Sequence, residues 1–143
     1  SATAFSVVLT SKFDRNIGKL HIFVYDHIEC NFGGAYNNIT GTFTAPRSGV
    51  FAFLWTVSAE GQTAGTSEYG ELSTELVVNL NIRGRAHVDT EVSSDDDHST
   101  GFVIVQLNQG DIVFVRSSGD YAVQGVFQGH LRGGWTFSGW QIA

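Results

Sequence analysis

Gly49-Val50-Phe51-Ala52-Phe53-Leu54-Trp55-Thr56-Val57-Ser58 is the stretch on which the fold turns. Phe51, Phe53, Trp55 and Val57 stand at alternate positions, the period of a strand with one face in a core. Val50, Ala52 and Leu54 fill the places between, so the stretch is apolar on both parities. The same doubled pattern recurs in Phe5 to Leu9, in Phe102-Val103-Ile104-Val105 and in Ile112-Val113-Phe114-Val115. Strands of this kind need cover on both faces, and no amphipathic helix is legible that could supply it. The pattern therefore predicts a sandwich in which one sheet face lines the core and the other meets a further subunit. A single large core with short edge strands is the plainer alternative.

Working outward, period two governs nearly the whole chain. It predicts strands over Ala4–Leu9, Leu20–Tyr25, Gly41–Ala45, Gly49–Ser58, Leu72–Ile82, Gly84–Val92, Gly101–Leu107, Asp111–Ser117, Tyr121–Gln128 and Gly134–Ile142. Turn chemistry separates them, as in Pro46-Arg47-Ser48-Gly49, Arg83-Gly84, Asn108-Gln109-Gly110-Asp111 and Arg132-Gly133-Gly134. Ser67–Leu76 contains Gly70 and no apolar stripe, so it reads as loop and strand start rather than helix. About ten short strands with turns between them predict an all-β sandwich or barrel. A chain of 143 residues is one domain's worth and buries enough surface to need no staple. Cys30, the sole cysteine, excludes an internal disulfide framework. It reads as a small buried filler, with a reactive thiol or an intermolecular disulfide as alternatives.

Charge narrows the partners. The net charge is −6, which repels a phosphate backbone, so nucleic acid is not expected. Nine acids between residues 60 and 97 face only Arg83 and Arg85, a net of −7, while the rest of the chain is +1. The longest apolar run, Val50 to Trp55, is far short of the ~20 residues that span a bilayer as a helix. Asn38-Ile39-Thr40 is a glycosylation sequon in a polar stretch; it leans toward secretion, with chance occurrence as the other reading. Ser1-Ala2-Thr3-Ala4 shows no basic segment followed by an apolar one, which fits either a chain without a signal peptide or a processed one.

Most catalytic signatures are absent; the plentiful carboxylates leave a glycosidase pair open by counting, but an enzyme is not expected. The five histidines are too scattered along the chain for a zinc signature. Gly65 to Glu71 has the glycine spacing of a phosphate loop but an acid where lysine must stand. Asp95-Asp96-Asp97 suits a hard cation, yet Thr100 and Gln106 occupy the places of the calcium-loop glycine and glutamate, so a solvated loop is the simpler reading.

From Tyr25 to Trp55 the spacing carries a resemblance. Tyr25, Asn31, Tyr36, Phe43, Gly49, Phe51, Phe53 and Trp55 stand in order, with Asn31-Phe32-Gly33-Gly34-Ala35-Tyr36 and Gly41-Thr42-Phe43-Thr44-Ala45-Pro46 between. Leu107 to Val115 and Thr136-Phe137-Ser138-Gly139-Trp140 add a glycine–aspartate turn and a closing strand. Together these resemble the globular head of the C1q-domain family, a cousin of the tumour necrosis factor fold, over essentially residues 1–143. Aromatic-for-aromatic departures stand at Tyr25, Phe51, Trp55 and Trp140, and no Gly-X-Y repeat is present, so the chain looks like a head-only member. The resemblance implies a ten-stranded antiparallel jelly-roll sandwich and a homotrimer. It also implies a secreted, extracellular role in innate immunity, as a lectin-like module for microbial glycans or lipopolysaccharide. A receptor ligand, or a storage, matrix or assembly trimer, is the alternative. The loop contacts it suggests are Tyr69, Tyr121, His130, Arg132 and Trp135, with interface packing as the other reading of Tyr121 and Trp135. It further suggests calcium on Asp120, the Tyr121 carbonyl and Gln124 from neighbouring subunits. The acidic 60–97 region points to a cationic or metal-bridged target.

Overall fold

The structure, a computed structural model, describes residues 2–13, 17–59, 70–90, 96–120, 127–128 and 134–143. Among them every regular element is a strand: β1 (Ala4–Val8), β2 (Lys12–Phe13), β3 (His27–Phe32), β4 (Tyr36–Asn37), β5 (Thr42–Thr44), β6 (Gly49–Ala59), β7 (Glu71–Val78), β8 (Asn81–Asp89), β9 (Asp97–Leu107), β10 (Ile112–Ser117), β11 (Phe127–Gln128) and β12 (Thr136–Gln141). Two five-stranded sheets, in the orders β3-β1-β12-β6-β9 and β4-β5-β10-β7-β8, make an antiparallel jelly roll, and β11 pairs with β2 separately.

The core between the sheets is built from one parity of each strand. Phe5, Phe43, Phe53 and Phe137 gather around one another, with ring centroids 4.9 Å apart for Phe5–Phe137 and 5.4 Å for Phe43–Phe53. Such aromatic pairs add to the burial of their area. Trp55 is fully buried, and its Nε1–H donates to Thr74 Oγ1 at 2.9 Å, whose hydroxyl donates in turn to the Ala86 carbonyl at 3.0 Å. Its ring needs room that only glycine leaves. A Cβ on Gly101 would stand 2.1 Å from the indole, and one on Gly84 would stand 3.0 Å from the indole and 2.5 Å from Val103.

That requirement explains a misplaced turn. Arg83-Gly84 reads as a turn in the sequence, but Gly84 lies inside β8, opposite Leu76. The chain turns at Asn79-Leu80, both with positive φ (48° and 72°), as a two-residue hairpin demands. Leu80 is 74% exposed, so its apolar side chain disguises a turn as strand interior. The expected strand Leu72–Ile82 is thus β7, the turn and the start of β8.

Two other differences have physical causes. Leu20–Tyr25, expected as a strand, forms the bridge Ile22–Arg116 and hydrogen bonds such as Phe23 N–H to the Val115 carbonyl along the β10 edge beyond β5, rather than a full ladder. His27–Phe32 is a strand the periodicity missed. It borders its sheet and sends no side chain into the core, so it carries no alternation. Within the family-like motif, Asn31 clamps the glycine turn: its Nδ2 donates to the Tyr36 carbonyl at 2.9 Å, and its Oδ1 accepts from the Tyr36 N–H at 3.2 Å. Of the expected Tyr121–Gln128 strand, only Phe127–Gln128 falls among the described residues.

The outward face of the second sheet holds a buried charge. Glu75 is 1% exposed; Arg116 Nε donates to its Oε1 at 2.9 Å, and Arg85 Nε lies 3.6 Å from its Oε2. Truncating one partner of a buried pair strands the other.

Two outcomes follow from these contacts. Gly101→Ala pushes a methyl into the Trp55 ring and lowers stability by ~3 kcal/mol in urea unfolding. Arg116→Met removes the hydrogen-bonded partner of Glu75 and leaves only the longer contact to Arg85; it costs ~3 kcal/mol, most of it recovered in the double variant with Glu75→Leu, a coupling that a denaturant double-mutant cycle measures.

Candidate functional site

The register of the first sheet assembles a surface from five strands. Paired residues of antiparallel strands share a face. Ala4 pairs with both Phe32 and Trp140, Trp140 with Ala52, and Ala52 with Ile104. One row across the sheet is therefore Phe32, Ala4, Trp140, Ala52 and Ile104. The next is Cys30, Ser6, Ser138, Leu54 and Phe102, by the same pairings. All point away from the core. Phe32, Trp140, Phe102 and Ile104 are 60%, 42%, 52% and 58% exposed, and the Phe102 and Trp140 rings lie 6.5 Å apart. A third row, Thr136, Thr56 and Thr100, is polar, so the apolar patch occupies one end of the face.

This narrows the double-parity expectation. Ala52, Val8 and, on the other sheet, Phe114 are already buried by the chain itself at 0%, 6% and 7% exposure. On the first sheet the wet apolar surface sits on β3, β9 and β12; on the second, Ile82 and Ile112 are 41% and 42% exposed. Cys30 belongs to this face and is half-buried, not the fully buried filler expected of it.

The loop contacts divide sharply. Tyr69, Tyr121, Gln124, His130 and Arg132 lie outside the described residues. Trp135 does not fit a ligand-contact role and is corrected to a core residue. It is 0% exposed, its ring centroid is 5.0 Å from Phe23 and 6.0 Å from Phe127, and its Nε1–H donates to the Ser58 carbonyl at 3.1 Å. A ring with no solvent-facing surface cannot stack on a sugar. The signal was present, since Trp135 shares its parity with the core residue Phe137, but the preceding glycine pair made it look like a loop tip.

Asp120 is exposed and stands 3.5 Å from the Arg85 guanidinium, which also faces Glu75. Of the calcium set the resemblance suggests, Asp120 is thus placed beside a cation, while Tyr121 and Gln124 lie outside the described residues. In the acidic run, Asp95 lies outside the described residues, while Asp97 accepts from the Asp89 N–H at 2.9 Å and from the His98 N–H at 3.0 Å. Those bonds make it a strand-end brace. Asn38 and Thr40 of the sequon are exposed.

The second sheet's outward face carries a grouping that spacing along the chain concealed. The β7–β8 hairpin sets Glu71 opposite Asp89 and His87 opposite Ser73. Glu71, His87 and Asp89 thus share one patch, followed along the face by the Glu75–Arg85–Asp120 chain of charges.

The comparisons agree with this architecture. A family model described as the C1q domain matches residues 4–142. Among solved structures, the globular domain of the zebrafish complement 1qA protein superposes with a TM-score of 0.71 at 19% identity, covering 99% of this chain and 98% of that one. Crystal structures of murine APRIL at pH 5.0 and pH 8.0 superpose at 0.72 and 0.71, each at 10% identity and covering 99% of this chain and all of theirs. At those identities the structures establish the shared fold, and the family match, which spans nearly every residue, establishes that the chain belongs to the C1q-domain family.

Proposed function

We propose that this chain is a secreted recognition module that works as a homotrimer, binding microbial surface glycans or lipopolysaccharide through several weak loop contacts at once. The observation that carries the reading is the apolar patch of Phe32, Trp140, Phe102 and Ile104 on a sheet face that the chain leaves wet. Full burial of side chains of this size stabilises by ~1.5–3 kcal/mol each, so closing the exposed half of four of them contributes on the order of 4 kcal/mol per chain. Membership of the C1q-domain family supports three copies as the number that closes it.

Recognition then falls to connecting segments, which commonly carry binding contacts on a scaffold of strands. Tyr69, Tyr121, His130 and Arg132 remain the proposed contacts: aromatic faces for sugar rings, and a guanidinium for phosphate or carboxylate. A weak site per chain gains from a partner array once three are joined, because the second and third contacts form at high effective concentration.

A microbial glycan array tests this with the unmodified chain and two variants. Ile104→Lys places three like charges in the joint, separates the copies and lowers array binding ~100-fold. Tyr121→Ala with Arg132→Ala keeps the assembly and loses the carbohydrate signal. Saturable binding to host cells without glycan binding would overturn the reading in favour of a receptor ligand. Binding to neither would leave an assembly role.

A further inference from the structure

We propose that Glu71, His87 and Asp89 form a site for one divalent transition-metal ion of the zinc class on the outward face of the β7–β8 hairpin. One donor atom from each of the three lies within 4.8 Å of the others, and His87 Nε2 is 3.6 Å from Glu71 Oε1. Bonds of ~2.0–2.2 Å in a tetrahedron place ligand atoms ~3.4 Å apart, so the histidine–glutamate edge is nearly at its final length. Small side-chain rotations close the rest, and the exposed His87 and Asp89 side chains have the freedom to make them.

The backbone beneath the site is fixed. Beyond the Glu71–Asp89 pair the ladder is locked by buried Thr90, whose N–H donates to the Gly70 carbonyl at 2.8 Å and whose hydroxyl accepts from the Gly70 N–H at 2.8 Å. Asp97 braces the Asp89 N–H from the side. The strand end therefore holds the three donors near one another before any ion arrives.

Charge also asks for a cation at this point. Two carboxylates directly opposite on neighbouring strands repel one another and destabilise the pair. A divalent ion held between them offsets that repulsion. The donor set selects the class of ion: an imidazole nitrogen with two carboxylates suits zinc and its neighbours, whereas calcium takes oxygens alone and more of them. Three protein ligands leave a fourth position for water or for a donor from a bound partner. The proposal stands independently of the carbohydrate reading.

Titration of the metal-free full chain with zinc chloride by calorimetry tests it, with cobalt as a spectroscopic probe and circular dichroism confirming that each variant folds. The expected result is one zinc per chain, a visible cobalt band, and no displacement by excess calcium. His87→Gln and Asp89→Asn each weaken zinc at least about tenfold, and His87→Gln removes the cobalt band. His27→Gln, which opens the His27–Glu29 pair on the other sheet, leaves both unchanged. Absence of zinc binding at micromolar concentration, which is the behaviour of an ordinary histidine–glutamate ion pair, overturns the proposal. So does binding that survives His87→Gln and Asp89→Asn or is lost in His27→Gln.

Discussion

Phe102, Ile104, Trp140 and Phe32 face water on the outer side of a sheet whose inner side is packed solid with aromatic rings. That imbalance is the constraint on which the functional account depends. A jelly roll covers each sheet on one side with the other sheet, and among the described residues no helix lies over the remaining faces. The second sheet meets the problem with charge, burying Glu75 between two arginines and lining its outward face with acids. The first sheet instead carries an apolar patch at one end of its outward face, from Phe32 on β3 to Phe102 and Ile104 on β9. One outward face carries a charged cluster and the other an apolar patch, and the proposed trimer uses that asymmetry.

The fold was legible wherever a strand had a core-facing parity. The alternation in Gly49–Ala59 and Thr136–Gln141 located β6 and β12 to within a few residues, because the buried residues of those strands are large and spaced by two. It failed where geometry outvoted composition. At Asn79-Leu80 the backbone needs positive φ at two positions, and leucine hides the need. At Gly84 a glycine marks the approach of the Trp55 ring rather than a turn. At β3 the strand has no stake in the core, so nothing in its side chains announces it.

The site was legible in a different measure. The apolar face could be inferred from doubled parity, although only the register shows that Phe32 and Trp140 continue it and that Ala52 is already covered. Trp135 was misread because a neighbouring glycine pair carried more weight than its parity with Phe137. The Glu71–His87–Asp89 grouping was invisible for a related reason. The three residues are 16 and 18 positions apart across a hairpin whose turn was placed four residues too late, and residues that meet across a ladder can be paired only when the turn is right.

The most direct test of the central claim is the mass of the unmodified chain in solution. Multi-angle light scattering behind size exclusion, at micromolar concentration, should give a monodisperse particle of three chains. A stable, well-behaved particle with the mass of one chain would show that water wets this sheet face without penalty, and the account of assembly and of multivalent recognition would fall together.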